Sequence, residues 1–64
     1  MAIEGEKGGF DFIIDENPDQ HCELKYFWAV WLDGRFIYED LCDSLQQGER
    51  EALAFIENIS EKLF

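Results

Sequence analysis

The chain has 64 residues, enough for one domain, and its 15 Asp and Glu against 5 Lys and Arg leave a formal net charge of −10. Hydrophobic residues at 47% and aromatics at 16% exclude a disordered acidic tail, which lacks the apolar surface needed to fold. The charge exceeds the magnitude of about 2–8 that solubility asks of a small domain; it disfavours nucleic acid and anionic membranes as partners and favours a basic surface.

A domain of this size buries only about 60% of its unfolded surface, so the aromatics, at roughly 150–250 Å² each, have to supply much of the core. Cys22 and Cys42 are too few for a disulfide framework and are expected to be reduced. No basic segment followed by an apolar run suggests a signal peptide, and no apolar stretch approaches the roughly 20 residues of a membrane span. A cytoplasmic protein is expected.

Residues 1–9, with three Gly, read as a flexible leader able to add an edge strand. From Phe10 to Asp15 the residues alternate, Phe10, Phe12 and Ile14 on one face and Asp11, Ile13 and Asp15 on the other, as in a half-buried strand. Asp15-Glu16-Asn17-Pro18-Asp19 reads as a turn. His21 to Asp33 is the longest apolar run. Its even positions, from Cys22 to Leu32, form the core face, and its odd face is polar at the ends and apolar at Phe27, Ala29 and Trp31.

Asp33-Gly34 is a hairpin signal, with Arg35 to Glu39 as the third strand. A two-residue loop pairs Trp31 with Phe36 and Val30 with Ile37, which splits the apolar residues over both faces. A three-residue loop, Leu32-Asp33-Gly34, pairs Val30 with Phe36 and Trp28 with Tyr38, keeps every core residue even-numbered, and is preferred because register follows the buried face. Arg35 then neighbours Trp31 across the strands, as a possible stacking partner. The same parity sets Phe12 opposite Leu24 and Asp11 opposite Lys25.

Asp40 or Asp43 is expected to cap a short helix containing Leu41, Cys42 and Leu45, ended by Gly48. A main helix follows from Glu49 to Leu63, with Leu53, Ile56, Ile59 and Leu63 at steps of three to four residues, acidic residues at its start and Lys62 near its end. The predicted fold is a single α+β domain: leader 1–9, three-stranded antiparallel β-meander 10–39, and helices in 40–64 packed on one face of the sheet.

The inventory for catalysis is thin. His21 is the one histidine, threonine is absent, and Cys22 beside His21 points to the opposite face of a strand, so the two form no dyad. Ser44 and Ser60 fall in helical segments. Asp15 to Asp19 begins like a calcium loop, but Gln20 stands where Gly is needed and Tyr26 where a bidentate Glu is needed. Three Cys and His residues fall short of a four-ligand zinc site. Cys22 and Cys42 are expected as packing residues. Gly8-Gly9 precedes no helix and makes no phosphate loop, and the five basic residues are scattered among acidic neighbours. No catalytic residue, metal or cofactor is expected, and no enzyme.

The acidic surface remains. Carboxylates two residues apart on a strand lie about 6.6–6.8 Å apart, a spacing of the same order as successive phosphates of a nucleic-acid strand, where the axial rise alone is ~3.4 Å. Candidate partner-binding carboxylates are Asp11, Asp15 and Glu23 on the outer face or its rim, Glu16 and Asp19 at the first turn, Asp33 at the second, and Glu39, Asp40 and Asp43 at the strand-to-helix junction. Phe27, Trp31 and Ile37 are expected on the same outer face, and Phe27 and Trp31 inside a ring of carboxylates suit a binding hot spot.

In size, acidity and strand–helix order, with segments such as Gly9-Phe10-Asp11-Phe12 and Tyr26-Phe27-Trp28, the chain resembles the small acidic anti-CRISPR proteins of phages and is most similar to a short type I-C member. The resemblance implies an inhibitor acting in the cytoplasm of a bacterial host. It would bind a type I CRISPR effector complex at its DNA-recognition subunit and keep it from target DNA. By DNA mimicry, its carboxylates would meet the Lys and Arg residues that hold phosphates or the neighbouring motif duplex. The partner would be the basic DNA-binding surface of the effector, with no direct nucleic-acid or membrane contact, and the inhibitor a monomer. The alternative is a non-mimic interaction module, antitoxin-like or a regulatory subunit, that buries Trp31 and Phe27 in its partner.

Overall fold

The computed structural model describes residues 2–63; Met1, Phe64 and the inward placement expected of the Leu63 side chain lie outside the described residues. The chain is α+β, with four antiparallel strands, β1 (Ile3–Lys7), β2 (Phe10–Glu16), β3 (Tyr26–Leu32) and β4 (Arg35–Cys42), followed by one helix, α1 (Leu45–Leu63). The strands lie in the sheet in chain order, as expected of a meander. The expected three-stranded sheet is therefore corrected to four.

The fourth strand comes from the leader. Gly8 and Gly9 both have positive φ (58° and 88°), as a type I′ turn requires, and they fold β1 back onto β2 with Lys7 opposite Phe10 and Ile3 opposite Ile14. The second tight hairpin uses the same device. Asp33 (φ 52°) and Gly34 (φ 78°) form a two-residue turn, with Leu32 opposite Arg35 and Trp31 opposite Phe36.

The preferred three-residue loop is thus overturned. The parity problem it was meant to avoid is solved by a β-bulge: after Trp31–Phe36 the register shifts, Ile37 is left as the extra residue, and Val30 faces Tyr38 while Trp28 faces Asp40. Ile37 packs against the core instead of facing outward, and Phe36, expected inside, is the most exposed large hydrophobic residue described at 55%. Arg35 is not the cross-strand neighbour of Trp31.

The β2–β3 pairing also differs. Phe12 faces Val30 and Asp11 faces Trp31, because His21 to Lys25 belong to a loop and not to the strand. That loop, residues 17–25, is closed by Asn17. Its backbone N–H donates to the Lys25 carbonyl (2.8 Å) and its Nδ2 donates to the Leu24 carbonyl (2.9 Å). Lys25 Nζ in turn donates to the carbonyls of Gln20 (3.1 Å) and Cys22 (2.8 Å). Cys22 is half-buried in this loop rather than on a core-facing strand.

The junction at 41–48 is corrected as well. Leu41 and Cys42 end β4, no separate short helix forms among the described residues, and α1 runs through Gly48. Ser44, not Asp40 or Asp43, is the N-cap: its Oγ accepts from the Gln47 N–H (3.1 Å), while Gln47 Oε1 accepts from the Asp43 N–H (2.7 Å). The first helical turn holds no acidic residue, since Glu49 and Glu51 come later, whereas Lys62 does lie in the last turn.

The helix covers one face of the sheet. Gly48, Ala52 and Ile56, at steps of four, are buried against Phe10, Phe12, Ile14, Trp28, Val30 and Cys42. Gly48 is a contact residue and not a stop, for a Cβ there would lie 2.7 Å from Ile14 Cγ2 and 2.8 Å from Cys42 Sγ. Beside this seam Phe55 stacks on Tyr38 (centroids 5.1 Å apart) and tilts against Trp28 (5.6 Å), tying α1 to β3 and β4. Gly48→Ala gains helix propensity of about 1 kcal/mol but overpacks the seam, which costs about 1–3 kcal/mol. The expected outcome in urea unfolding is a lower midpoint, and a raised one would contradict the close approach.

Candidate functional site

The face of the sheet opposite the helix carries the odd positions of β2 and β3 and presents three rows. Glu6, Asp11, Trp31 and Phe36 lie side by side across the four strands, then Glu4, Ile13, Ala29 and Glu39, then Asp15, Phe27 and Leu41 across β2, β3 and β4. The rows are about 4.7–4.9 Å from strand to strand. No residue of these rows belongs to the core cluster or its packed fringe. The first row ends in an edge-to-face pair, Trp31 and Phe36, with ring centroids 6.1 Å apart.

The rows run from the carboxylates Glu4, Glu6, Asp11 and Asp15 on β1 and β2 to apolar groups on β3 and β4, with Ile13 and Glu39 as the exceptions. Asp11 and Glu39 are exposed, Asp15, Phe27 and Trp31 are half-buried, and Ala29 is shielded by its larger neighbours. The expected outer face of aromatics among carboxylates is therefore present for Phe27, Trp31, Asp11 and Asp15, with Phe36 and Leu41 in place of Ile37. Glu39, expected at the strand-to-helix junction, lies mid-strand opposite Ala29, and Glu23, expected on this face or its rim, lies in the 17–25 loop because β3 starts only at Tyr26.

The meander also brings together two carboxylate groups far apart in sequence. Glu16 ends β2, Tyr26 begins β3 and Cys42 ends β4, and these three lie abreast. Two strand spacings, about 10 Å, thus separate Glu16 from the chain at Cys42-Asp43. Asp15 and Glu16 stand at the same end of the sheet as Asp40 and Asp43, and the loop bearing Asp19 and Glu23 emerges there. Asp33 is at the opposite end, about six strand residues or 20 Å away, and does not join them.

Between the two groups lies an open groove of about 420 Å³ lined by Asn17, Pro18, Phe27, Glu39, Asp40 and Leu41. Its apolar surface comes from Pro18, Phe27 and Leu41 and its carboxylates from one side, an arrangement suited to the alkyl stem and cationic head of a Lys or Arg.

Not all these carboxylates are free for a partner. Asp15 Oδ1 accepts from the Glu16 N–H (2.7 Å), Asp40 Oδ1 from the Leu41 N–H (2.8 Å), and Asp19 Oδ1 from the His21 N–H (3.0 Å) while the Asp19 N–H donates to Asn17 Oδ1 (3.1 Å). These three residues hold the backbone in place as well as carrying charge. Glu16, Glu23, Glu39 and Asp43 are exposed, and no side-chain hydrogen bond to the backbone engages their carboxylates among the described residues.

Reasoning from sequence missed Phe36 and Leu41. The signal was the triplet Phe36-Ile37-Tyr38, too apolar for simple alternation, beside an Asp-Gly pair that favours a two-residue turn; together they imply a bulge.

Among the described residues no three His, Cys, Asp or Glu side chains converge to hold a metal ion, and no helix is long and apolar enough to cross a membrane. Cys42 is buried at the helix–sheet seam, and burial, then the negative charge of Glu51, pushes its thiol pKa up from the ordinary 9.0. Comparison with known protein families, curated proteins and solved structures finds no match.

The raised thiol pKa has a consequence at alkaline pH. The folded chain keeps the Cys42 proton to higher pH than the unfolded chain. The associated stability is complete below the unfolded value and is lost as pH rises through the folded one. Cys42→Ala is expected to flatten the fall of stability above pH 9.0, read by urea unfolding across pH. Equal slopes for the two proteins would contradict the burial of this thiol.

Proposed function

We propose that the chain is a binding protein rather than an enzyme, and that its acidic end and open outer face occupy a basic, nucleic-acid-binding surface of a partner. The observation that carries this reading is the approach of Glu16 and Asp43, at the ends of β2 and β4, beside an uncovered, aromatic sheet face that bears Glu39. Separate carboxylates projecting from a rigid sheet present negative charge without the conformational cost of ordering a flexible acidic tail. The aromatics of β3 and β4 supply the apolar anchor that charge alone lacks.

The resemblance to type I-C anti-CRISPR proteins supplies the partner: a type I CRISPR effector complex in the cytoplasm of a bacterial host, blocked at the subunit that recognises DNA. The carboxylates would take the place of phosphates against its Lys and Arg residues, with the inhibitor acting as a monomer.

A second reading is favoured by Trp31, Phe36 and Leu41. Here the outer face is a mainly hydrophobic docking surface of an antitoxin-like or regulatory module, and the charge serves solubility.

The two readings separate on charge. Glu16→Lys, Glu39→Lys and Asp43→Lys together leave the hydrogen-bonded Asp15, Asp19 and Asp40 intact. Under the mimic reading the triple variant keeps its circular dichroism spectrum and loses inhibition of target-DNA binding by the effector by at least about 100-fold, from three charge contacts of about 1 kcal/mol or more each. Retained inhibition in a folded triple variant would sink mimicry. Trp31→Ala with Phe36→Ala, harmful while the charge reversals are not, would favour the hydrophobic module.

A further inference from the structure

The two edges of the sheet are unlike. β1 is five residues long, carries Glu4, Glu6 and Lys7, and has no exposed large hydrophobic residue; short, charged edges resist pairing with other strands. β4 is eight residues long, and Phe36, Tyr38 and Leu41, the exposed large hydrophobics among the described residues, all lie on it. The bulge at Ile37 disturbs only its first part, and residues 38–42 pair regularly with β3.

The backbone of this segment offers hydrogen bonds outward. In an antiparallel pair, alternate residues turn both backbone groups toward the partner strand and the others turn away. The Leu41 N–H is bonded to the carboxylate of Asp40 (2.8 Å), so it belongs to the set turned away from β3, and Glu39, two residues earlier, shares its direction. Asp40 occupies the place that the carbonyl of an added strand would take.

We infer that β4 is a strand-addition edge, and that its occupant is an extended segment of a partner protein bearing lysine or arginine. Charge selects this occupant over a second copy of the chain. Two copies would each bring a net charge of −10 and set Glu39 and Asp40 of one edge near those of the other. A basic strand meets Glu39, Asp40 and then Asp43 along its length, while the groove beside Leu41 takes one of its side chains. Backbone pairing supplies affinity and alternate side chains supply choice of partner. The inference rests on the reading above that the partner is basic, and adds the backbone as the means of contact.

The test uses the full chain with a synthetic peptide of alternating lysine and valine, and the same peptide N-methylated at alternate residues, which keeps charge and side chains but removes the pairing N–H groups. Expected are binding of the first peptide, protection of the Leu41 amide from hydrogen exchange, and a loss of at least about tenfold in affinity for the methylated one. Leu41→Pro, which deletes the outward N–H, should bind more weakly than Leu41→Ala, which keeps it. Equal, salt-sensitive binding of both peptides overturns strand addition and leaves the basic-partner reading standing. Absence of salt-sensitive binding by either overturns both. A dimer in sedimentation with the Leu41 amide already protected assigns the edge to a second copy and overturns the inference.

Discussion

The contact of Gly48, Ala52 and Ile56 with Phe10, Ile14 and Val30 places the one helix on one face of the sheet, and the rest of the molecule follows from that placement. A four-stranded sheet can be covered on one side by a single helix, and among the described residues no second element packs on the other side. Glycine at position 48 lets the helix backbone approach Ile14 and Cys42 closely, and the Phe55–Tyr38–Trp28 cluster fixes its angle over β3 and β4. The even residues of β2 and β3 are thereby committed to the core, and the odd ones to whatever lies outside.

The outer face combines two features seldom placed together in solvent. Carboxylates on β1 and β2 grade into aromatics on β3 and β4, and the acidic ends of β2 and β4 meet at the rim. Self-repulsion among so many carboxylates works against folding, so a chain that keeps both this charge and an open aromatic surface bears two costs that a basic, partly apolar partner would relieve together. The hydrogen bonds of Asp15, Asp19 and Asp40 to backbone N–H groups show how part of the charge is also put to structural use. A reversal of those residues would confuse folding with binding.

Much of this architecture was legible in the sequence, and the failures have identifiable causes. Alternation from Phe10 to Ile14 defined the core face of β2, and the helical spacing of Leu53, Ile56 and Ile59 identified the later turns of α1. β1 was not legible as a firm strand because Ile3 is its one apolar side chain and Gly5 lies where the ring of Phe12 covers it, so alternation carries no signal there. Cys22 and Leu24 imitate a continuing strand, and only the Asn17 clamp reveals a loop. At Gly48 a residue that commonly ends helices is instead demanded by packing, and at Ile37 parity was preserved by a bulge rather than a longer turn. Of the site, Phe27, Trp31, Asp11 and Asp15 could be placed on the outer face from pattern, whereas Glu23, Asp33 and Glu39 could not be grouped correctly without the strand ends and register. Phe36, Leu41 and the meeting of Glu16 with Asp43 required the register.

The central claim is that recognition is electrostatic and runs through carboxylates at one end of an open sheet. The most direct test is the equilibrium affinity of the chain for a purified type I effector complex, measured as salt is raised from about 50 to about 200 mM, where exposed charge pairs become strongly screened. The account predicts a steep fall, of at least about tenfold, with the complex still able to bind when salt is lowered again. Affinity that holds constant over that range, or no measurable binding at low salt, would contradict it.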